Sequence, residues 1–470
     1  MSLRLKALYP LTGGYNRHSV NQFYEEFVRP TEIKGLWRWW NRVLFNTVSY
    51  ANGGKLYTYD SIDRLFEDVF GSEDRKSAVR LEVISEEGDN FELTEAEVDK
   101  VADYLKNYKG KISLDFKDSL IVKAENTQIP IHFKSNINID KNKDLVFDNG
   151  LLKFELLGFS STKIDATKVS GKEVLEGILR DLITDYLEYF DIEPEIEFTL
   201  NIYLDKKLDK KQENFDAKLK FALYSLLLFI ILGGIGRKTS RGFGSLSLLD
   251  VECYDQELCG FYDNKVKEIK EYIKNQKSNE LVNSIVFNNE IKKLFERINE
   301  GVSLCSRDFV YYLKPNLLDV KKIIGNNIKD SIKRVLNAIA NKVAPADGKC
   351  IKRIINNEYG RKAFALAFNG NREIRKNKNK KDRNLDAASD ITVDTVDIYL
   401  KKYVKKEYID IIKRDVRRPS ILRFKIIEVE GAYYLISYIL YSNYLKDELI
   451  DNISQKLQKI SECVVENEDS

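Results

Sequence analysis

Histidine is nearly absent from this sequence, with His18 and His132 the only two in 470 residues. A multi-histidine metal centre cannot be built from them. Cysteine is also scarce. Cys253, Cys259, Cys305, Cys350 and Cys463 form no CxxC pair, which excludes a zinc site of ordinary spacing. Their odd number argues against a secreted disulfide scaffold. Proline (7) and glycine (24) are low for the length, which excludes collagen-like and linker-dominated chains. Net charge is also missing: 76 Lys and Arg against 73 Asp and Glu leave +3. No global field draws in a polyanion, so any nucleic-acid surface has to come from local charge segregation. The longest apolar run, Phe221 to Leu232, is about 12 residues, whereas a bilayer span needs about 20. The N-terminal residues lack the apolar core of a signal peptide. The expectation is a cytoplasmic protein with no membrane attachment, no metal and no cofactor. Met1 is the sole methionine and charged residues reach 32%, a composition that leans towards a heat-adapted source.

Hydrophobic residues make up 43% of the chain, enough for a packed core, and the length favours two domains. A strand is expected over Leu3–Tyr9, then a polar loop with Gly13, Gly14, Tyr15, Arg17 and His18. Thr31 is expected to cap a helix that runs to about Tyr50 and stops at Asn52-Gly53-Gly54. In that helix Ile33, Leu36, Trp37, Trp40 and Leu44 form one buried stripe, with Lys34, Arg38, Asn41 and Arg42 on the other side. Asp60–Phe70 reads as a short helix, Ala78–Ile84 as a strand, Thr94–Tyr108 as a helix and Ser119–Phe159 as β-rich. Helix Val169–Phe190 and strand Glu195–Leu204 follow. Asp216–Leu232 is apolar nearly all round and so reads as a buried helix. It breaks at Gly233-Gly234, and a strand resumes at Ser245–Val251. The class is α+β. The expected domains are 1–252 and 253–470, the second with a helical insertion over about 265–356. A charge run over Arg372–Lys381 reads as a solvated loop, Arg423–Val429 and Tyr433–Leu440 as a hairpin about Glu430-Gly431, and Lys446–Glu462 as a closing helix.

The stretch Gly233–Gly244 carries the clearest chemistry. Gly234, Gly236 and Gly242 permit close backbone approach, Arg237, Lys238 and Arg241 supply charge, and Thr239 and Ser240 supply hydroxyls. It lacks the GK[ST] of a phosphate-binding P-loop, and it follows a helix and precedes a strand, unlike a dinucleotide fingerprint. A helix C-terminus repels anions, so the cations have to carry any attraction for phosphate. The bland alternative is a helix cap followed by a solvated basic turn. In the first long helix Trp37 and Trp40 belong to the core, while Trp39 falls off the stripe and either stacks on a base or packs on a partner. Arg38 and Arg42 stand one turn apart, placed to grip successive phosphates or simply to be solvated. Phe243 and Tyr15 are further candidates for base stacking, and Arg417 and Arg418 form a second basic turn. His18 in its polar loop is a candidate acid or base for a metal-free ribonuclease, though a lone loop histidine is more often inert.

Leu11-Thr12-Gly13-Gly14, the helix Arg29-Pro30-Thr31-Glu32-Ile33-Lys34-Gly35-Leu36-Trp37-Arg38-Trp39-Trp40-Asn41-Arg42, Phe70-Gly71-Ser72, the glycine-rich loop and Arg418-Pro419-Ser420 stand in the order seen in the RAMP superfamily of CRISPR proteins. They resemble in particular the first-subunit family of the type III-B effector, the Cmr complex. Lys34 departs from the pattern, since arginine is frequent at that position and is the better bidentate phosphate ligand.

The resemblance implies two ferredoxin-like (RRM-related) domains. It implies a non-catalytic subunit at the 3′ end of the guide RNA that caps the backbone filament. Its partners would be guide RNA, target RNA, the backbone subunit and the neighbouring 3′-end capping subunit. The RNA-binding residues would be Gly13, Gly14, Tyr15, Arg17, Lys34, Arg38, Trp39, Arg42, Gly234, Gly236, Arg237, Lys238, Thr239, Ser240, Arg241, Gly242, Phe243, Arg417 and Arg418. The alternative within the superfamily is an endoribonuclease that processes precursor guide RNA through His18, and the alternative outside it is a purely structural subunit.

Overall fold

The computed structural model describes residues 1–9, 28–85, 195–205, 214–236, 239–254, 256–305, 309–315, 317–325, 328–339, 343, 350, 354, 404–408 and 421–465, together with the backbone of six strands between 112 and 164. The chain divides into two compact units. One comprises Met1–Leu11, Val28–Glu86 and Glu195–Ser470; the other comprises Thr12–Phe27 and Glu87–Pro194. This division does not fall at the expected boundary between residues 252 and 253, although residue 252 does end a strand.

In the first unit β1 (Ser2–Leu8) leads to α1 (Pro30–Gly53), the short helices α2 (Tyr59–Leu65) and α3 (Glu67–Phe70), and β2 (Val79–Ser85). The second unit carries β3 (Ile112–Phe116), β4 (Leu120–Ala124), β5 (Thr127–Lys134), β6 (Asn138–Ile139), β7 (Leu145–Asp148) and β8 (Thr162–Ile164). They form one sheet in the order β6-β7-β5-β4-β3-β8, in keeping with the β-rich reading of that stretch. The helices expected over 94–108 and 169–190 lie outside the described residues.

The chain returns to the first unit as β9 (Glu195–Leu204), α4 (Phe215–Leu232) and β10 (Ser245–Glu252). Strand order is β10-β1-β9-β2, antiparallel throughout. Leaving aside the short α2 and α3, the order of elements is therefore β-α-β-β-α-β, with the second unit's two segments entering between β1 and α1 and between β2 and β9. Phe198, Leu200 and Ile202 alternate into the core from β9, as period-two patterning requires. Helices α1 and α4 pack together: Trp37 Nε1 donates to the Ala222 carbonyl at 2.7 Å and to Ser225 Oγ at 3.0 Å, and Phe45 and Phe66 pack on Phe221. Trp37 and Trp40 are core residues, as their spacing indicates.

Beyond Glu252 come α5 (Gln256–Lys274), α6 (Ser278–Val286), α7 (Asn289–Ile298), β11 (Tyr311–Tyr312), β12 (Leu318–Lys322) and α8 (Ile328–Ala338). The stretch 265–356 is thus not the uniform helical insertion its Lys/Asn/Ile-rich composition implies. Leu318 and Val320 point inward from a five-residue strand too short to stand out among the surrounding helices. The chain continues with β13 (Leu422–Val429), β14 (Ala432–Ile439), β15 (Tyr441–Ser442), α9 (Asp447–Ser454) and α10 (Leu457–Val465). Strands β12, β14 and β13 form a second antiparallel sheet in that order. The hairpin turn is Glu430-Gly431, both at positive φ, as a two-residue type I′ connection demands.

The two sheets meet where β10 faces β13. Ser245 Oγ accepts the Ile426 amide at 3.0 Å and Ser247 Oγ accepts the Glu428 amide at 2.8 Å. Serines two apart on one strand thereby satisfy alternate donors on the other. Lys6 Nζ adds ion pairs to Glu428 at 2.8 Å and to Glu195 at 3.3 Å. Two bridges form among the cysteines: Cys253 pairs with Cys259 and Cys350 with Cys463. Spacing gives no warning of bridges 6 and 113 residues apart. Intracellular proteins of hyperthermophiles do carry such bonds. Among the described residues no helix is long and apolar enough to cross a membrane, and no cluster of His, Cys, Asp and Glu is arranged to hold a metal.

Candidate nucleic-acid interface

Helix α1 begins earlier than expected. Arg29, not Thr31, is its N-cap, with extended backbone and no side-chain cap bond. Pro30 supplies the first helical residue, where its fixed φ and missing amide are harmless. The helix ends at Gly54 in the left-handed conformation, whose amide donates to the Tyr50 carbonyl at 2.8 Å. Its middle, from Val43 to Ser49, is buried on every side, so a flank is presented by the first three turns and by the short exposed end from Ala51. Asn41, expected on that flank, is buried.

Three cations follow one another along the flank. Lys34 Nζ donates to the Val79 carbonyl at 3.2 Å. Burial lowers its pKa, and the Arg38 charge lowers it further. Arg38 Nη2 donates to the Gly71 carbonyl, with its guanidinium 5.9 Å from the Phe70 ring. Neither cation meets a carboxylate among the described residues. Arg42 differs. Its Nε donates to Asp63 Oδ1 at 2.8 Å, its Nη2 bonds Asp63 Oδ2, and it lies 5.3 Å from the Tyr59 ring. Arg42 is therefore held in an internal pair, which corrects its reading as a free phosphate ligand.

Gly35 lies between Lys34 and Arg38, exposed, and a Cβ there would meet nothing within 4 Å. Gly71 is more constrained. Its φ is +82°, and a Cβ would stand 3.0 Å from the Arg75 carbonyl oxygen and the Ser77 amide nitrogen. The tight turn at Gly71 aims its carbonyl at Arg38. In the sequence Phe70-Gly71-Ser72 is only a pattern; its role in positioning Arg38 comes from the fold.

The glycine-rich loop is stitched down rather than open. The Ile235 amide donates to the Gly244 carbonyl at 2.9 Å, and the Gly244 amide donates to that of Leu8 at 2.7 Å. The Gly242 amide donates to the Thr239 carbonyl at 3.3 Å, and the Gly236 amide donates to Glu32 Oε1 at 2.8 Å. Gly234 faces Gly244 so closely that a Cβ would lie 2.8 Å from its oxygen. The glycines serve backbone packing, and the amides of Gly236 and Gly242 are not an anion cradle. The Ser240 carbonyl accepts the Phe424 amide at 2.9 Å, and Arg241 bridges to Phe424 through its backbone, while Thr239 and Ser240 stay half-buried. Phe243 is 1% exposed and packs in the core, so it is not a base-stacking residue.

The helix end below the loop is neutralised from the other sheet. Buried Lys425 on β13 donates to the Gly233 carbonyl at 2.6 Å and to that of Ile230, and Tyr438 donates to that of Leu232. These donors meet the carbonyls a helix C-terminus leaves unpaired. Trp39 is half-buried, edge-on to Trp40 at 5.2 Å and 5.2 Å from the Arg423 guanidinium. Gly13, Gly14, Tyr15, Arg17, His18, Arg237, Lys238, Arg417 and Arg418 lie outside the described residues.

The model of the RAMP superfamily matches residues 4–247, from β1 to β10. Over 99% of both chains the sequence is 54% identical to the CRISPR system CMR subunit Cmr1 of Saccharolobus solfataricus. The chain belongs to the RAMP superfamily, in the Cmr1 family. Two solved structures share its fold over 99% of each chain, both at TM-score 0.75. One, at 51% identity, is the Type III-B Cmr-beta bound to cognate target RNA and AMPPnP in the presence of ssDNA. The other, at 49%, is Cmr-beta bound to cognate target RNA. The RAMP match takes in β2 and β9 of the first sheet in full, β1 from Arg4 onward and the first three residues of β10, together with α1 and the glycine-rich loop.

Proposed function

We propose that this chain is an RNA-holding subunit of a type III-B RNA-guided effector, and that it caps the backbone filament near the 3′ end of the guide RNA without cutting RNA itself. Guide RNA, target RNA, the backbone subunit and the neighbouring capping subunit are its partners in this reading. The similarity to Cmr1 and to the Cmr-beta complexes supports the assembly. The β-α-β-β-α-β order, with strands β10-β1-β9-β2, supports a ferredoxin-like first half. The three-stranded sheet β12-β14-β13, with α10 packed on it and α8 against α10, supports a second half built on a related, smaller plan.

One observation carries the RNA reading. Lys34 and Arg38 share a flank of α1, hydrogen-bonded to backbone carbonyls and met by no carboxylate among the described residues, with the bare backbone of Gly35 between them. Phosphates along a single strand would supply the missing negative charge, giving sequence-tolerant, salt-sensitive affinity. The test compares Arg38→Ala with Arg42→Ala in RNA titrations over a salt series. Arg38→Ala lowers affinity for every sequence and reduces the salt slope by roughly 0.7, the share of a single neutralised phosphate on a single strand. Arg42→Ala chiefly lowers the melting temperature, because it strands Asp63. An unchanged slope for Arg38→Ala rejects the flank as an RNA surface.

A further inference from the structure

Between the first turns of α1 and the edge strand β2 lies a cleft of about 610 Å³, within the range of small-ligand sites, about 300–1,000 Å³. Thr31, Lys34, Lys76, Arg80, Tyr203 and Asp205 line it, three cations against one carboxylate. Lys34 brings its uncompensated charge to the inner wall. At the mouth Lys76 pairs with Asp205 at 2.7 Å while remaining 76% exposed. Tyr203 is 41% exposed, with the Arg80 guanidinium 4.9 Å from its ring centroid and its hydroxyl donating to Glu82 at 2.7 Å.

A cleft with half-buried cationic charge, an acid–base pair and a flat exposed aromatic ring has the chemistry of one nucleotide. We propose that it seats a single nucleoside phosphate: phosphate at Lys34, ribose hydroxyls at Asp205 and Lys76, and base against Tyr203 and Arg80. Aromatic and guanidinium planes stack on any base, and a carboxylate accepts from ribose hydroxyls while Lys76 steadies it. The nucleotide is either the end of an RNA strand or a free mononucleotide, and the chemistry is common to both. The assignment rests on the reading of α1 as an RNA-holding flank, and it is tested apart from it.

The experiment titrates the full chain with UMP, with inorganic phosphate and with a short single-stranded RNA. It compares the unaltered protein with Tyr203→Leu, Lys34→Ala and Arg38→Ala, each checked for an unchanged melting temperature; Arg80→Ala, which removes the other base-stacking plane, takes the place of Tyr203→Leu should that variant fail to fold. An RNA terminus in the cleft predicts that Tyr203→Leu weakens RNA binding about tenfold, the effect of losing about 1.4 kcal/mol of stacking. A free nucleotide predicts instead that UMP binds more tightly than phosphate and that Tyr203→Leu abolishes this preference while RNA affinity holds. If Tyr203→Leu changes neither UMP nor RNA binding, or UMP binds no better than phosphate while RNA affinity is unaffected, the proposal is overturned. Loss of RNA affinity through Arg38→Ala reports on the flank alone, because Arg38 does not line the cleft. That outcome separates failure of the cleft from failure of the RNA reading.

Discussion

Glu32 Oε1 accepts the amide of Gly236 at 2.8 Å, so a carboxylate in the first turn of α1 holds the glycine-rich loop against that helix. The acid lies where the helix dipole favours it and also occupies a position that a phosphate could otherwise take. Removing its oxygen leaves the loop amide without an acceptor in a half-buried setting. Glu32→Ala is expected to lower stability by about 1–2 kcal/mol, and Glu32→Gln, which keeps the acceptor, by clearly less. Thermal unfolding of the two variants checks the difference, and faster amide exchange at Gly236 in Glu32→Ala localises it.

Gly35 yields effects of opposite sign. A helix-interior glycine costs roughly 0.5–1 kcal/mol relative to alanine, and here a Cβ meets no atom within 4 Å. Gly35→Ala is therefore expected to raise the melting temperature. If an RNA backbone passes over this flank, the added methyl group also obstructs it and affinity falls. A variant that is more stable and binds RNA unchanged would show that nothing approaches the helix there.

Lys425 makes stability depend on alkaline pH. Burial lowers its pKa well below the usual 10.5. Between the depressed native value and 10.5 the unfolded chain binds more protons than the folded one. Unfolding free energy therefore rises with pH through that window, by at most about 1.4 kcal/mol per pH unit from this group. The comparison is with Lys425→Met, which cannot titrate. The stability of the unaltered protein relative to Lys425→Met should grow as the pH rises towards 10.5, the ordinary lysine value. A constant difference would mean that Lys425 remains charged in the fold.

The bridge between Cys350 and Cys463 ties α10 to a point 113 residues earlier. Opening so long a loop is expected to cost about 2–4 kcal/mol. Calorimetry of Cys463→Ser measures this, and alkylation of the denatured, unreduced protein should label one thiol, that of Cys305.

Periodic segments were legible in the sequence. Four of the five residues of the α1 stripe (Leu36 is only half-buried), the uniformly apolar α4, the strand Glu195–Leu204 and the Glu430-Gly431 hairpin fall where their patterns place them. What the sequence could not disclose depends on interactions between distant segments. Glycines that look like an anion cradle are instead needed where the backbone of β1, the loop and β10 crowd together, and Phe243 lies inside because the loop folds down onto that seam. Arg42 and Arg38 are indistinguishable by spacing, yet α2 offers a carboxylate to the first and α3 ends in a carbonyl facing the second. Lys425 stands in β13 between Arg423 and Glu428 with nothing in the sequence to single it out, and its acceptors are carbonyls at the end of α4, 195 and 192 residues away in the chain.

Ser85 at the end of β2 stands opposite Phe198 near the start of β9. The chain therefore departs from the four-stranded sheet and rejoins it at one rim, between two strands that would otherwise be joined by an ordinary hairpin. That rim acts as a socket: a change in the length of the segment Glu87–Pro194 leaves every rung of the ladder beneath α1 in register.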